Sequence, residues 1–360
     1  MIFDHNVEPL KAARQRQALG LLRDSHTLYG LALATCATEA ERESARYGLR
    51  QTARILARRD CPAEWILTRH FDDQSAEHQE SSRKYYNRFE DFALSGVKVD
   101  KIADPNRIHF PYRHVFYSFS DEAQELEYVK TSFYRGFSTV MIKSDEWYTA
   151  ENNIDEFIKY VDVVIYSYFS AEIAKYKKCI YIPLMFLMNG FLPPPDEQSE
   201  KYDRPASARP YTWSFMGGIN KSSRKQMFDS MQAVPNGAHH LTMGWMTEDA
   251  LAPRDYRTVM DNSVFVPCPA GWSNLESYRV WEALEAGCIP LVERREGYDY
   301  FSLALGNHPL PTFDCWDQVP GFIAGLDPSA VEGLRSTCSA WWKNYKLSLK
   351  DKIAAEMLKL

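Results

Sequence analysis

The chain has 360 residues, with 42 Lys or Arg against 48 Asp or Glu and a net charge of −6. This length suffices for two domains of ordinary size, and the apolar and charged fractions are typical of a soluble globular protein. The negative balance argues against a general nucleic-acid-binding surface, and no apolar stretch approaches the length of a membrane span.

The first ten residues do not predict a secretory signal, because they carry two acids, a His and a Pro with no apolar segment behind them. The seven cysteines are scattered and lack C-x-x-C spacing. This usage argues against a disulfide framework and a structural zinc site, and it favours a reducing, cytoplasmic location.

Residues 1–60 predict a helical N-terminal extension that is more basic than the rest of the chain. Its arginines Arg42, Arg46, Arg50 and Arg54 recur every fourth residue, which places them on one helix face. A solvated surface is the simpler explanation of this stripe. The alternative is docking on an anionic membrane at its inner face, on an acidic polymer or in an assembly complex.

Residues 61–195 predict an N-terminal Rossmann-like domain. From residue 112 onward, short apolar runs alternate with segments of helical periodicity, which indicates a parallel sheet with helical crossovers. Strands are predicted over 115–119, 139–143, 163–166 and 179–183, and helices over 121–133, 154–161 and 171–177. Ser170 is expected to cap the last of these helices.

A segment rich in Pro, Ser and charge follows, and residues 196–210 are predicted to link two domains. Residues 211–330 repeat the alternation of strand and helix and predict a second Rossmann-like domain. Residues 331–360 predict a C-terminal helix.

The most informative segment is 263–294, which reads as strand, loop, helix and strand. The helix is predicted over 275–286, with Ser273 or Asn274 as its cap and Glu276 in its first turn. Arg279 and Glu282 are three residues apart and share a face. A helix N-terminus and an arginine can hold an anion, and a glutamate one turn on can accept bonds from sugar hydroxyls. The simpler explanation is an ordinary ion pair on a surface helix.

A glycine turn, Gly217-Gly218, leads into a predicted helix that begins near Arg224. The turn is not a P-loop, because Asn220 replaces the glycine that precedes the Lys-Ser pair, and no G-x-G-x-x-G occurs in the chain. Such a turn can still cradle a phosphate, with Arg224 or Lys221 as the charged partner. The alternative is a plain turn in which Ser222 or Ser223 caps the helix.

These motifs resemble those of a known enzyme family. The run from Pro267 to Val292, P-C-P-A-G-W-S-x(4)-Y-R-V-x-E-A-L-E-A-G-C-I-P-L-V, is similar to the signature of exostosin-like glycosyltransferases. The run YTWSFMGGINKSSR, from Tyr211 to Arg224, resembles a second segment of that family. Ser144-Asp145-Glu146, followed some forty residues later by residues 181–184, resembles two segments of the ribitol-xylosyltransferase-like branch of that family. Met185 stands where that branch has a glycine.

The resemblance implies an α/β GT-B fold, in which two Rossmann-like domains face each other across a cleft. It also implies that the C-terminal helix, residues 331–360, crosses back to the first domain. It also implies transfer of a sugar from a nucleoside-diphosphate donor, with UDP-sugars and inversion favoured, to a glycan hydroxyl. Arg279 and Arg224 would hold the diphosphate, Glu282 would bind the ribose, and Trp272 and Ser273 would contact the donor or shape its loop. The expected donor site comprises Gly217, Gly218, Arg224, Gly271, Trp272, Ser273, Arg279 and Glu282.

An inverting transfer also needs a general base, expected at the carboxyl end of a strand in the first domain. Asp145 and Glu146 follow such a strand and are the preferred candidates, although both could be helix caps. Asp72 and Asp73 are a second choice.

No D-x-D occurs in the chain, so we expect a reaction without metal or other cofactor. Three alternatives remain: a related enzyme with a GDP-sugar donor, a sugar-nucleotide epimerase, and a catalytically silent protein that binds a nucleotide or glycan.

Overall fold

In a computed structural model of the chain, the structure describes residues 9–18, 20–60, 65–68, 94–97, 99–102, 113–118, 122–134, 137–143, 154–184, 191, 204–244, 247–271 and 273–360. These residues form a helical N-terminal part and two parallel sheets with helices around them. None of the helices in these ranges combines the length and the apolar character needed to cross a bilayer.

Three helices precede the first sheet: α1 (Pro9–Ala18), α2 (Leu22–Thr35) and α3 (Glu39–Asp60). The helices α2 and α3 cross closely, because Gly48 presents no side chain and the ring of Tyr29 occupies the space a Cβ would need. Leu28 and Leu49 complete a small apolar cluster between them. The predicted helical extension therefore has a core of its own.

The basic stripe on α3 is not a free cationic face, because three of its arginines form ion pairs, and docking of this face on an anionic surface stays a prediction. Arg42 and Arg46 each form an ion pair with Glu39 at 2.8 Å. Arg50 is buried, with its guanidinium 2.5 Å from the carboxylate of Asp162 and 4.1 Å from the centre of the Phe133 ring. Arg50 thus fastens α3 to the first sheet, and the side chain of Arg54 lies outside the described part of the chain.

The N-terminal sheet has six parallel strands in the order β2-β1-β3-β4-β5-β6. Its interior strands carry continuous buried runs, as expected when helices cover both faces. Ser170 caps the helix that leads into the last strand, as predicted, by accepting a hydrogen bond from the backbone N–H of Ile173. The elements are β1 (Trp65–Thr68), β2 (Val99–Ile102), β3 (Arg113–Ser118), α4 (Glu122–Tyr134), β4 (Ser138–Lys143), α5 (Ile154–Ile158), β5 (Val163–Tyr166), α6 (Ala171–Ala174) and β6 (Cys179–Tyr181).

The C-terminal sheet has five parallel strands in the order β11-β10-β9-β7-β8. Its elements are β7 (Tyr211–Met216), α7 (Arg224–Met231), β8 (Gly237–His240), α8 (Pro253–Asp261), β9 (Ser263–Cys268), α9 (Tyr278–Glu285), β10 (Ile289–Glu293), α10 (Tyr300–Leu305), β11 (Thr312–Phe313), α11 (Gln318–Ala324) and α12 (Pro328–Leu358). Helix α9 ends in a Schellman motif, in which Gly287 has φ +66° and the N–H of Cys288 bonds to the carbonyl of Ala283.

The last helix, α12, packs against both sheets. Near its middle, Trp342 stacks on Trp281 of α9 with ring centres 5.3 Å apart. Farther along, Leu349, Ile353 and Met357 belong to the core of the N-terminal sheet. At the other boundary, Arg209 of the predicted linker is buried and donates hydrogen bonds to the carbonyls of Ser263 and Ala286, so it packs within the C-terminal layer.

The fold class predicted from the sequence is confirmed. The chain is α/β, with two Rossmann-like parallel sheets of the GT-B type preceded by helices. In each sheet, the second strand in chain order lies on one side of the first strand and the third lies on its other side. This change of direction is typical of doubly wound folds.

Candidate functional site

The topology of the C-terminal sheet points to one location. Strands β7 and β9 are neighbours, while the strands that follow each of them, β8 and β10, lie on opposite sides. The connections leave this point in opposite directions and open a crevice at the carboxyl ends of the strands, where ligands bind in folds of this kind. Met216 and Cys268 are the last residues of the two strands, so the segments that follow them border the crevice.

The glycine turn after β7 allows other groups to come close to its backbone. Gly217 has φ +137°, a conformation that side chains rarely adopt, and its N–H donates to the carbonyl of His240 at 2.9 Å. A Cβ on Gly217 would lie 3.0 Å from Nη2 of Arg279. The carbonyl of Gly218 accepts a 3.3 Å hydrogen bond from Nη1 of Arg224. Both predicted arginines therefore reach this turn.

Arg279, in the first turn of α9, is buried at the crevice with 8% of its surface exposed. Its Nη2 donates to the carbonyl of Met216 at 2.7 Å, and its guanidinium lies 4.4 Å from the centre of the Phe215 ring. Its Nε has no hydrogen-bond partner, and no carboxylate among the described residues forms an ion pair with it. Arg279 is thus a buried cation with spare donor capacity.

Ser277, the residue at the start of α9, adds a second unpaired group. Its backbone is extended, with φ −140° and ψ 154°, and its hydroxyl makes no capping bond. The hydroxyl is also buried without a hydrogen-bond partner. The N-terminus of α9 therefore combines a helix dipole with an unpaired hydroxyl and a buried guanidinium, which together suit an anion.

Arg224 joins the turn after β7 to the loop after β9. It begins α7, is largely buried, and donates from Nε to the carbonyl of Ala270 at 3.3 Å. Gly271 is next in the chain and its N–H bonds to the carbonyl of Asn274, which keeps the loop tight. The predicted residues Gly217, Gly218, Arg224, Gly271 and Arg279 are therefore neighbours in space. Ser273 is exposed in the same loop, and Trp272 lies outside the described residues.

Helix α9 is buried and does not display a face to solvent as predicted, whereas the role predicted for Glu282 at the ribose stays a prediction. Every residue from Arg279 to Glu285 is buried, because α9 lies between the sheet and α12. Glu282 accepts a 2.8 Å hydrogen bond from the hydroxyl of Tyr256, and burial raises the pKa of that hydroxyl well above its usual value. Glu282 is one helical turn beyond Arg279, inside the protein and not on an exposed surface.

Glu276 also differs from its prediction, because α9 begins at Tyr278 and not at residue 275. The carboxylate of Glu276 is fully buried and accepts hydrogen bonds from Tyr181, Trp281, Tyr300 and the N–H of Leu184. Burial raises its pKa to about 7, although these hydrogen bonds act in the opposite direction. A long-range contact therefore overrides the local preference of Leu275 and Glu276 for helix.

Sequence reasoning missed Glu293, which ends β10. Its carboxylate accepts hydrogen bonds from the N–H of Ala270 at 2.8 Å, from the indole of Trp316 at 3.2 Å and from the hydroxyl of Ser223. Ser223, one of the two serines considered as the cap of α7, makes no capping bond with its side chain. A glutamate at the carboxyl end of a buried strand was the available signal. Glu293 therefore connects the segment before α7 to the loop after β9, and Arg224 connects the same two parts of the chain.

The candidate bases Asp145 and Glu146 lie outside the described residues, as do Asp72 and Asp73. The preceding strand β4 ends at Lys143, at the carboxyl edge of the N-terminal sheet. At the end of β8, His239 stacks on Trp213, and His240 lies 2.6 Å from the carbonyl of Asp249. Within the described ranges, no group of three or more His, Cys, Asp or Glu is arranged to hold a metal ion.

Comparisons with solved structures give distant likenesses. Anabaena HepE in complex with UDP aligns with a TM-score of 0.47 and 12% identity, covering 82% of this chain and 100% of that one. An α1,3-fucosyltransferase with GDP aligns with a TM-score of 0.45 and 10% identity, covering 82% and 92%. At these scores, neither the fold nor the function is inferred from them.

Sequence comparisons are more specific. Residues 195–359 match the family model described as the RXYLT1 C-terminal domain. This range is a little under half of the chain. Ribitol-5-phosphate xylosyltransferase 1 of Danio rerio is 23% identical over 163 residues, which cover 40% of this chain and 37% of the relative. The chain thus spans little more than a third of that relative's length. These matches confirm the resemblance of the C-terminal part of the chain to the ribitol-xylosyltransferase-like branch of the exostosin-like glycosyltransferases.

Proposed function

We propose that this protein is a glycosyltransferase that moves a sugar from a nucleoside-diphosphate donor, of the UDP-sugar class, to a hydroxyl of a glycan acceptor. The observation that carries the proposal is Arg279, a buried cation without an ionic partner among the described residues, at the switch point of the C-terminal sheet. A buried unpaired charge is costly, so a protein that keeps one there gains when an anion arrives.

The diphosphate of such a donor fits the groups around Arg279. The turn at Gly217 and Gly218 admits a phosphate close to the backbone, and Arg224 adds a second cation beside it. The N-terminus of α9 contributes its dipole. Fixed positive groups of this kind stabilise the charge that develops on a leaving diphosphate. Because the chain has no D-x-D, we propose that these residues, and not a metal ion, take that role.

We propose that Glu282 binds the ribose of the donor. It lies one turn beyond Arg279 on α9, and a carboxylate accepts hydrogen bonds from neighbouring hydroxyls. Its bond to Tyr256 holds the side chain in one position, which suits a recognition group.

Inversion needs a base on the opposite side of the sugar, and we propose Asp145 or Glu146 for this role. Both follow β4, whose carboxyl end faces the same edge as the other parallel strands of its sheet. The name of the Danio rerio relative adds xylose as the sugar and ribitol 5-phosphate as the acceptor to be tested first.

We also propose that the protein acts in a reducing compartment. Four buried cysteines, Cys179, Cys268, Cys288 and Cys338, are free thiols. Such thiols do not build a disulfide framework.

Calorimetry with UDP, GDP, CMP and ADP tests the donor class. We expect the wild-type protein to bind UDP best, without added Mg²⁺. Arg279→Lys should weaken UDP binding by about tenfold or more, because lysine keeps the charge but loses the forked geometry and a charge-assisted hydrogen bond. Arg254→Lys, an exposed arginine of α8, is the matched control and should bind UDP as the wild type does.

Glu282→Gln tests the ribose contact. Glutamine keeps the volume and can still accept from Tyr256, so the fold should persist, while UDP affinity should fall roughly tenfold as a charged acceptor becomes neutral. Preference for GDP would indicate the GDP-sugar alternative. Nucleotide binding without release of UDP from UDP-xylose or UDP-glucose, with or without ribitol 5-phosphate, would indicate a silent binding protein. Binding to none of the four nucleotides would reject the proposal.

A further inference from the structure

One buried carboxylate joins the two sheets next to the candidate donor site. Oε1 of Glu276 accepts hydrogen bonds from the hydroxyl of Tyr181 at 3.0 Å, the N–H of Leu184 at 3.1 Å and the indole of Trp281 at 2.9 Å. Its Oε2 accepts from the hydroxyl of Tyr300. Glu276 has no exposed surface, so all of these contacts are made away from water.

The four donors come from both halves of the molecule. Tyr181 is the last residue of β6 and Leu184 lies three residues beyond it, at the carboxyl edge of the N-terminal sheet. Trp281 and Tyr300 belong to α9 and α10 of the C-terminal half. The Tyr300 hydroxyl also accepts a 2.6 Å hydrogen bond from the N–H of Phe169, which follows β5. Glu276 is therefore at the centre of a polar junction between the sheets.

Aromatic rings surround this junction and exclude water from it. The ring of Phe169 meets those of Tyr181 and Tyr300 edge to face, with centres 5.7 Å and 6.2 Å apart. Hydrogen bonds to a carboxylate are stronger in such surroundings, and losing one leaves a buried polar group unpaired. The junction therefore resists small changes in the relative position of the two sheets.

The position of Glu276 in the chain connects this junction to the donor site. Ser277 follows it directly at the start of α9, and Arg279 is three residues along. The N-terminal donors to Glu276 lie at the end of β6 and three residues beyond it, in the same parallel sheet and at the same edge as the carboxyl end of β4. The carboxylate thus links the helix that carries Arg279 to the sheet that carries the proposed base.

We propose that Glu276 is a positioning residue, which sets the distance between the donor held by Arg279 and the groups presented by the N-terminal sheet. The proposal rests on the proposed transferase function. Glu276 itself touches neither substrate. It acts through the start of α9 and through Tyr181 and Leu184, and the rate of transfer depends on it because reacting groups must be aligned closely.

Tyr181→Phe is the sharpest test, because it removes one bond between the sheets and leaves every C-terminal contact of Glu276 in place. Tyr166→Phe is the matched control. Tyr166 is also buried, its ring packs on that of Tyr181 with centres 5.9 Å apart, and its hydroxyl makes no hydrogen bond to Glu276. Full-length wild-type and variant proteins are compared by calorimetry with UDP, by turnover of the UDP-sugar that the wild type uses, and by thermal unfolding.

We expect Tyr181→Phe to lower kcat about tenfold, the scale of one hydrogen bond to a charged group, while the donor KM and the affinity for UDP stay within about twofold. Tyr166→Phe should keep kcat within about twofold. Glu276→Gln, which keeps the volume but weakens both sides of the junction, should lower kcat at least as much as Tyr181→Phe. This split between kcat and UDP affinity is not expected from a residue that only stabilises the fold.

Two results would overturn the positioning role. If the wild type turns over a UDP-sugar and both Tyr181→Phe and Glu276→Gln match its kcat, Glu276 is a structural residue and the transferase assignment survives. If kcat and UDP affinity fall together in Tyr181→Phe, the junction supports binding and does not align the reactants. A wild-type protein that turns over no donor would instead remove the proposed function, and the positioning role with it.

Discussion

Arg50 and Arg279 are both buried, yet the surroundings of their guanidinium groups differ in the way that matters for function. Arg50 meets the carboxylate of Asp162 at 2.5 Å, so its charge is neutralised within the protein. Arg279 meets a carbonyl oxygen and an aromatic face, which offset only part of the cost of burying a cation. At the residue scale, this difference is the basis for proposing that Arg279 receives an anion, whereas Arg50 stabilises the fold.

Glu276 gives a prediction about stability at this scale. Its pKa is raised by burial from 4.5 to about 7, so the folded protein holds its proton more tightly than the unfolded chain does. Its contribution to stability is therefore full below pH 4.5 and is lost as the pH rises to about 7. Between pH 5 and pH 8 the wild type should lose on the order of 2 kcal/mol that Glu276→Gln does not lose.

Denaturant unfolding of both proteins at the two pH values measures this difference. Burial lowers the pKa of His26 and of His308, which gives the opposite pH dependence, but both histidines are present in wild type and variant and cancel in the comparison. A stability difference between the two proteins that is the same at pH 5 and pH 8 would contradict the prediction.

At the scale of elements, strands β5 and β9 and helix α7 follow closely from local sequence. β5 has the predicted bounds 163–166, α7 begins at Arg224 as predicted, and β9 begins at residue 263, where segment 263–294 was predicted to begin with a strand. Helix α9 begins three residues later than predicted because Glu276 turns away to the N-terminal sheet, a contact 95 residues distant in the chain. Pattern reasoning has no access to partners so remote, and the contacts of Glu293 with Ser223 and Ala270 are likewise distant in the chain.

The turn after β7 makes a prediction at this scale. Gly217→Ala places a side chain at φ +137° and brings a Cβ within 3.0 Å of Nη2 of Arg279. We expect a loss of about 1–3 kcal/mol in the free energy of unfolding from backbone strain, and weaker UDP binding because Arg279 must move. Urea titration measures the first effect and calorimetry the second.

Gly333 of α12 is the matched control, since nothing lies within 4 Å of the position of its Cβ and its backbone is helical. Gly333→Ala should stabilise the protein by about 0.5–1 kcal/mol and leave UDP binding unchanged. Equal effects of the two substitutions would mean that the turn after β7 carries no special constraint.

At the scale of the whole molecule, the two-sheet architecture follows from the alternation of strands and helices, but the connections between its parts do not. Arg50 was expected on a solvated stripe and instead fastens the N-terminal helices to the first sheet. A period of four residues indicates that arginines share a helix face, and it cannot tell whether that face meets water or a carboxylate at Asp162. Arg224 and Arg279 could be selected from motifs as candidate site residues, whereas their carbonyl partners depend on the fold.

Helix α12 provides the prediction at this scale. Ile353 is fully buried among residues of the N-terminal sheet, such as Val140 and Ile180. Ile353→Ala should cost about 2–5 kcal/mol, because it removes buried methyl groups and leaves a cavity. Amide exchange of β4 should rise in the variant, since that strand is part of the same core.

Leu347, on the same helix, is 61% exposed and is the control. Leu347→Ala should change stability by no more than about 0.5 kcal/mol. If Ile353→Ala leaves exchange in β4 unchanged, the helix does not support the N-terminal sheet.

The path of α12 has a practical consequence for fragments of this protein. The stretch matched by the family model, residues 195–359, includes this helix but none of the strands on which its last turns pack. Produced alone, that stretch would present Leu349, Ile353 and Met357 to water as an apolar stripe, and stripes of this kind promote association between chains. The range that the family model matches is therefore not a unit that folds on its own. A soluble fragment of this range would need polar residues in place of these three side chains.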